Sequence, residues 1–240
     1  DGKTYFQRYE RGIPVTKVRP IGTSQETGTK VTFKPDSTIF PAIDFDFDFL
    51  SKRMRELAFL NRGLKVTVKD ERIEREPQVY QYEGGIKTFV EYLNTGKTLL
   101  HEEIIYFEKE KDQTQVEIAM QYNDAYAENI YAFANNINTS EGGTHIIGFK
   151  AALTRVVNDY ARKNGFIKEK EELLAGEDVR EGLTAVLSIR LKDPQYEGQT
   201  KTKLVNSELK GIIETIVGEE LANFLEENPS IANKIIEKSI

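Results

Sequence analysis

The chain has 240 residues, of which 39% are hydrophobic and 30% are charged, a balance typical of folded proteins with one or two domains. Its net charge of −6 argues against a protein that binds nucleic acid over its whole surface, although a local basic patch is compatible with it. The absence of cysteine excludes thiol catalysis, disulfides and thiolate metal sites, and it favours a cytoplasmic location.

Neither a membrane span nor a metal site is predicted. No run of about 18 apolar residues exists that could cross a bilayer. The two histidines, His101 and His145, lie too far apart in the chain for the close spacing of a histidine metal pair. Strand-like sequence follows directly after Asp1, and we therefore expect the chain to be a piece of a longer protein.

The first part of the chain predicts strands and one helix. Residues 3–9 are strand-like, and a second strand is expected at residues 30–33, after Thr27-Gly28-Thr29. Residues 64–68 alternate between apolar and polar side chains, as in a half-buried strand. Between these strands, a helix is indicated by the common face of Leu50, Met54, Leu57 and Ala58.

The second part of the chain, beyond a domain boundary that we place at Gly84, mixes hairpins with helices. A short helix is indicated by one apolar face, consisting of Ile86, Phe89, Val90 and Leu93. The elements expected after it are a hairpin (residues 103–108 and 115–122), a strand (129–134), a helix capped by Thr144, an apolar strand (184–191) and two helices, the second starting at Pro229. This pattern predicts the α+β class.

No catalytic apparatus is evident. Residues 95–98 end like a phosphate-binding P-loop, but Glu91 stands where that motif requires its first glycine. The scarcity of histidine leaves little for a hydrolytic triad, and no carboxylate is an evident general base. Gly142 and Gly143, ahead of a helix, either present backbone N–H groups to an anion or only turn the chain while His145 packs inward. Arg180 is expected to pair with a carboxylate.

The most distinctive polar stretch is the long loop, residues 193–204, between the apolar strand and the following helix. Gly198 permits backbone conformations closed to other residues, and Lys201 carries a cation on a long stem that can reach an anion beyond its own domain. The alternative is that Lys201 and Lys203 only decorate a solvated turn.

Several stretches of the chain together, and in this order, resemble the ATPase subunits of type IIA DNA topoisomerases, above all the B subunit of bacterial DNA gyrase. The resemblance runs nearly from end to end. The stretches that carry it are Thr27-Gly28-Thr29, residues 55–61, residues 82–87, Gly142-Gly143-Thr144-His145, Arg180-Glu181-Gly182 and residues 199–204.

The resemblance implies two domains. Residues 1–84 would be the C-terminal part of a GHKL-type ATPase domain, with a partial sheet and a helix, and residues 85–240 would be a transducer domain similar to ribosomal protein S5 domain 2. The family's general-base glutamate, its Mg²⁺-binding asparagine and its glycine-rich ATP lid are expected upstream of Asp1. No catalytic residue and no metal ligand are therefore expected in this segment, which we predict to be inactive alone.

The resemblance also implies binding residues and partners. Gln199 and Lys201 match the positions that hold the γ-phosphate of ATP, and Thr29 matches the threonine that helps to fix the adenine. Lys150 matches a basic position that lines the cavity through which DNA passes. The implied cofactors are ATP and Mg²⁺, and the implied partners are DNA, the gyrase A subunit and a second B subunit, which dimerises through the ATPase domain when ATP binds.

The function implied is to sense the γ-phosphate and to transmit ATP binding and hydrolysis to DNA strand passage and supercoiling. The alternatives are a topoisomerase IV ATPase subunit, a non-topoisomerase GHKL clamp of the mismatch-repair or chaperone type, and a pure interaction module. The Gln199-Thr200-Lys201 context favours a topoisomerase over the other GHKL proteins.

Overall fold

The computed structural model describes residues 2–240, and the chain divides into two compact units between Phe47 and Asp48. The first unit contains two antiparallel strand pairs, in which β1 pairs with β4 and β2 with β3. These strands are β1 (Lys3–Phe6), β2 (Tyr9–Glu10), β3 (Ile13–Pro14) and β4 (Arg19–Thr23).

The prediction of a strand at residues 30–33 is wrong. Residues 24–46 contain neither helix nor strand, and the side chains of Val31 and Phe33 are 78% and 72% exposed. A strand is stable only when a neighbour pairs with its backbone groups. Among the described residues no strand pairs with this segment.

The second unit is built around one mixed sheet and six helices among the described residues. The predicted elements occur in the predicted order, and two short strands at residues 78–80 and 137–138 and a short helix at residues 176–180 are additional. The elements of the unit are α1 (Phe47–Leu60), β5 (Val66–Val68), β6 (Gln78–Tyr80), α2 (Ile86–Leu93), β7 (Ile105–Lys111), β8 (Thr114–Tyr122), β9 (Asn129–Ala134), β10 (Ile137–Asn138), α3 (Thr144–Lys163), α4 (Gly176–Arg180), β11 (Leu183–Arg190), α5 (Ser207–Glu227) and α6 (Pro229–Ser239).

The sheet has the strand order β10-β9-β11-β8-β7, and it confirms the α+β class. β11 pairs in parallel with β9 and antiparallel with β8, while β7 and β8 form the expected hairpin. The parallel pair is possible because α3 and α4 connect β9 to β11 as a crossover.

Both faces of the sheet are covered, so the unit has three layers. Alternate residues of β11, such as Leu187 and Ile189, join a large core with α3, α5 and α6. On the other face, Val186 joins a smaller core formed with α1 and α2. Strands buried on both faces read as continuous apolar runs, which is why residues 184–191 are so apolar in sequence.

Two details of the helices differ from expectation. Of the predicted face of α1, only Ala58 is buried, because Phe59 and Leu60 bring the end of the helix onto the sheet. Thr144 is the first residue of α3 and not its cap, and its hydroxyl donates to the Asn206 carbonyl at 2.7 Å. In the described part of the chain, every helix is too short or too polar to cross a membrane.

Candidate functional site

The long loop lies within the connection between β11 and α5, residues 191–206, and folds back on itself as a narrow hairpin. Tyr196 and Leu204 form an antiparallel bridge. The Glu197 N–H donates to the Lys203 carbonyl at 2.9 Å, and the Val205 N–H donates to the Gln195 carbonyl at 2.8 Å. The hairpin therefore presents residues 198–201, which we call the tip, at its end.

The tip is exposed and its backbone is unusual. Gly198 has φ +85° and Lys201 has φ +57°, and for a residue with a side chain that left-handed conformation costs about 1–2 kcal/mol. The Lys201 N–H donates to the Gly198 carbonyl at 3.3 Å and closes the turn. Such local strain is found preferentially at ligand-contact sites.

Lys201 and Lys203 differ in their surroundings. Lys203 pairs with Glu197 at 2.6 Å, and the hydrogen bond that its ammonium donates to that carboxylate raises the pKa of Lys203. Lys201 has no ion-pair partner among residues 2–240, and its ammonium lies 5.8 Å from the centre of the Tyr196 ring. Lys201, beside the exposed amide of Gln199, is therefore the cation of the tip that can bind an external anion.

The Gly142-Gly143 segment holds the base of the hairpin. The Glu141 N–H donates to the Thr202 carbonyl at 2.9 Å, and the Thr144 N–H donates to the Leu204 carbonyl at 3.1 Å. In the other direction, the Leu204 N–H donates to the Gly142 carbonyl at 3.1 Å. A Cβ atom on Gly143 would overlap the backbone of Leu204. The N–H groups of Glu141 and Thr144 bond the loop and the Gly142 N–H donates to the Thr139 carbonyl at 2.9 Å, so residues 141–144 form a turn that docks the loop.

His145 packs inward from the same segment. Its side chain is fully buried, and Nε2 lies 2.9 Å from the Thr139 hydroxyl. That hydroxyl donates its own proton to the Ala132 carbonyl, so it accepts a hydrogen bond from the protonated Nε2 of His145. Nδ1 is then unprotonated, a buried acceptor without a partner among the described residues. Burial lowers the pKa of His145 to about 4, so the ring is neutral near pH 7.

Two side chains that sequence analysis did not select fix the arms of the hairpin. The Tyr196 hydroxyl donates to the Ala134 carbonyl at 3.0 Å. Asn206 stands just before α5, where asparagine usually caps a helix, but its amide instead accepts from the Gln195 N–H at 2.7 Å and donates to the Asp193 carbonyl at 3.2 Å. The loop thus has a fixed base and an exposed tip.

The other two predicted site residues lie elsewhere. Thr29 is exposed in the first unit, within residues 24–46. Lys150, on α3, pairs with Glu128, which also accepts from Arg180 at 2.5 Å, as expected for Arg180. Burial would raise the pKa of Glu128, but the hydrogen bonds from Lys150 and Arg180 outweigh it and lower that pKa. The charge of Lys150 is therefore partly neutralised within the chain.

The described residues fit the two implied cofactors differently. An exposed lysine and an exposed glutamine at the tip suit a terminal phosphate, since both donate hydrogen bonds to phosphate oxygens. For a divalent ion, no three histidine, aspartate or glutamate side chains converge anywhere in residues 2–240.

Comparison with known proteins assigns the chain to a family. The family model described as DNA gyrase B matches residues 85–240, which is more than half of the chain. The chain belongs to the DNA gyrase B family. This membership sets aside the mismatch-repair and chaperone-type ATPases.

Individual members of the DNA gyrase B family match over the whole chain. The B subunit of DNA gyrase from Bacillus mycoides is 54% identical over 239 residues, covering 99% of this chain and 59% of that protein. The B subunit from Clostridium acetobutylicum is 53% identical over 241 residues, covering 100% of this chain and 38% of that protein. The chain thus spans less than two thirds of the length of either relative.

A solved structure supports the same assignment. The 43K ATPase domain of Thermus thermophilus gyrase B, in complex with an aminocoumarin, is 37% identical and has a TM-score of 0.83. The match covers 100% of this chain and 65% of that domain. The mixed α+β fold described above is therefore a fold of gyrase B ATPase regions.

Proposed function

We propose that this chain is the part of a gyrase ATPase subunit that senses the terminal phosphate of ATP and passes that information to DNA strand passage. Gln199 and Lys201 would contact the γ-phosphate, while Thr29 would help to fix the adenine. The observation that carries the proposal is Lys201, an exposed cation without a carboxylate partner among residues 2–240, on a loop whose base is fixed.

The physical basis is that ATP and ADP differ by the group that the tip would touch. A ligand shifts a conformational equilibrium only by the difference between its affinities for the two states. If Lys201 and Gln199 bind only the γ-phosphate, ATP favours the state in which the tip is engaged, and hydrolysis with phosphate release removes that preference. The tip then acts as a switch between two arrangements.

The rest of the site and the partners belong to the same proposal. The residues that hold the nucleotide, Mg²⁺ and the general base would come from the region that the resemblance places before Asp1, with residues 1–84 completing the ATPase domain and residues 85–240 acting as transducer. DNA, the gyrase A subunit and a second B subunit would be the partners, in the cytoplasm. Lys150 would face passing DNA, which requires its ion pair with Glu128 to open or to tolerate phosphate.

The test is Lys201→Ala in the full-length subunit assembled with the A subunit. We expect ATP-dependent supercoiling to fall by about 100-fold, the usual effect of removing one such donor from a charged transition state, while the thermal unfolding midpoint is unchanged. The matched control is Lys203→Ala, because Lys203 is the neighbouring cation but already pairs with Glu197. Near-normal ATP turnover and supercoiling in Lys201→Ala would refute the role of the tip.

A further inference from the structure

Two consecutive asparagines, Asn135 and Asn136, form the turn between β9 and β10. Both have left-handed backbones, with φ +48° and +66°, and they join Ala134 to Ile137, which pair across the hairpin. Such two-residue turns accept asparagine or glycine. The backbone alone therefore does not require the amide side chains, and their contacts decide what they do.

Asn135 holds the start of the connection that carries the long loop. Its Oδ1 accepts from the Leu191 N–H at 3.0 Å, and its Nδ2 donates to the Leu191 carbonyl at 2.8 Å. Its own N–H donates to the Ile189 carbonyl at 2.8 Å. Since the neighbouring Ala134 carbonyl accepts from Tyr196, this turn contacts the loop connection at two separate points.

Asn136 reaches in another direction, to the end of α1. Its Nδ2 donates to Asn61 Oδ1 at 3.3 Å, and Asn61 Nδ2 donates to the Leu57 carbonyl at 2.8 Å. A carbonyl only accepts, so this last bond fixes the orientation of the Asn61 amide and, through it, that of Asn136. The end of α1 is also held by Arg190 Nη2, which donates to the Leu60 carbonyl at 2.8 Å.

The Asn136 side chain is present at an energetic cost. Its Oδ1 is buried and has no hydrogen-bond partner among the described residues, a situation that costs about 1–3 kcal/mol. Glycine would fit the left-handed backbone without that cost. The contact with Asn61 is therefore the one identifiable gain from an amide at this position.

We propose that the Asn135–Asn136 turn is a positioning element that couples the long loop to the C-terminal end of α1. This inference rests on the function proposed for the tip. When the tip engages the phosphate, a displacement at Leu191 moves Asn135, and the adjoining Asn136 moves Asn61 with it. Leu191 and Asn61 lie far apart in sequence, but the two asparagines that they contact are neighbours in the turn.

The test compares coupling with activity in the full-length subunit assembled with the A subunit. Asn136→Gly keeps the left-handed turn and removes the bond to Asn61. We expect the number of supercoils introduced per ATP hydrolysed to fall about fivefold or more. A variant that merely loses folded protein lowers ATP hydrolysis and supercoiling in proportion and leaves this ratio unchanged.

The chain offers a matched control and further variants at Asn61. Gln113→Gly alters the turn between β7 and β8, in which Asp112 and Gln113 have φ +51° and +61°, and Gln113 makes no side-chain hydrogen bond in residues 2–240. The number of supercoils that Gln113→Gly introduces per ATP hydrolysed should equal that of the wild type. Asn61→Ala should lower the ratio as Asn136→Gly does, and so should Asn61→Asp, which loses the donor to the Leu57 carbonyl that orients this side chain.

The outcomes separate this inference from the function on which it rests. An unchanged ratio in Asn136→Gly, or a ratio lowered equally by Gln113→Gly, overturns the positioning role. Lys201→Ala is assayed alongside. If Lys201→Ala loses supercoiling while Asn136→Gly is normal, the positioning role alone fails. If Lys201→Ala is normal, the proposed function fails and the coupling route fails with it.

Discussion

Lys203 and His145 are both held by contacts within the chain, but with different consequences for their charge. Lys203 is half-buried with its ammonium in contact with water, and its pair with Glu197 adds little to stability because water screens it. His145 is fully buried, and transfer of its charged form from water into the core is unfavourable, so the ring remains neutral. Stability should therefore depend on pH through the buried residue.

We expect the chain to lose stability as the pH falls from about 6.5 to about 4. The unfolded chain binds a proton at His145 near the ordinary histidine pKa of 6.5, while the folded chain does so only near its lowered pKa of about 4. In this window the unfolded state binds more protons, so acid favours it, by a total on the order of 3 kcal/mol. Below pH 4 both states are protonated and this loss stops growing.

The measurement is the free energy of unfolding as a function of pH in the wild type and in His145→Asn. The asparagine does not titrate, so the variant should show a shallower decline over the same window. Part of the decline will remain, because burial also lowers the pKa of His101. Parallel curves for the two proteins would contradict the assignment.

At the scale of elements, the long loop depends on a close backbone approach. Gly143 has φ +141°, and its missing side chain lets Leu204 lie against the start of α3. The three backbone hydrogen bonds between residues 141–144 and 202–204 require that approach. The position of the tip is therefore set by a glycine about sixty residues away in sequence.

Gly143→Ala should destabilise the chain by about 1–3 kcal/mol, because the new methyl group overlaps the Leu204 backbone. Hydrogen exchange at the amides of Thr144 and Leu204 should accelerate. Gly211→Ala, in α5, is the matched control, since a Cβ there meets no atom within 4 Å and alanine favours a helix by about 0.5–1 kcal/mol. Equal effects of the two substitutions would argue against the docking.

At the scale of the whole second unit, the sheet is enclosed between two helical layers. Phe59 of α1 stacks on Tyr82 at 3.8 Å and on Phe89 of α2 at 4.7 Å between ring centroids. Val186 and Phe133 of the sheet belong to the same core. This aromatic cluster holds α1 on the sheet, and so it also supports the contact between Asn61 and Asn136.

Phe59→Ala should lower the free energy of unfolding by about 3–5 kcal/mol, since it removes a buried ring and leaves a cavity. Hydrogen exchange should show loss of protection in α1 and α2 before α3, which belongs to the other core. Phe49→Ala provides the comparison on the same helix. Because the Phe49 side chain is 59% exposed, its removal should lower the free energy of unfolding by less than about 1 kcal/mol. Uniform loss of protection across all helices would contradict the division into two layers.

The residues alone were enough to predict the identity and order of the longer elements of the second unit, the α+β class and the family, but not the short elements β6, β10 and α4. Strand and helix periodicities depend on residues close together in the chain, so α2, the β7–β8 hairpin, β9 and β11 could be recognised locally. The resemblance could identify Gln199 and Lys201 because short motifs in a fixed order can be recognised in a sequence without knowledge of the fold. The proposed roles of these residues, of Thr29 and of Lys150, and the boundary at Gly84, stay predictions.

Which neighbour each polar group meets became clear only from the folded chain. In the folded chain no strand forms at residues 30–33, Gly142 and Gly143 lie in a docking turn, and among residues 2–240 a carboxylate pairs with Lys203 but not with Lys201. It also brought Asn135 and Asn136 between Leu191 and Asn61. The physical reason is that hydrogen bonds and ion pairs act over a few ångströms, and the partners here come from strands, turns and helices that the chain brings together only when it folds.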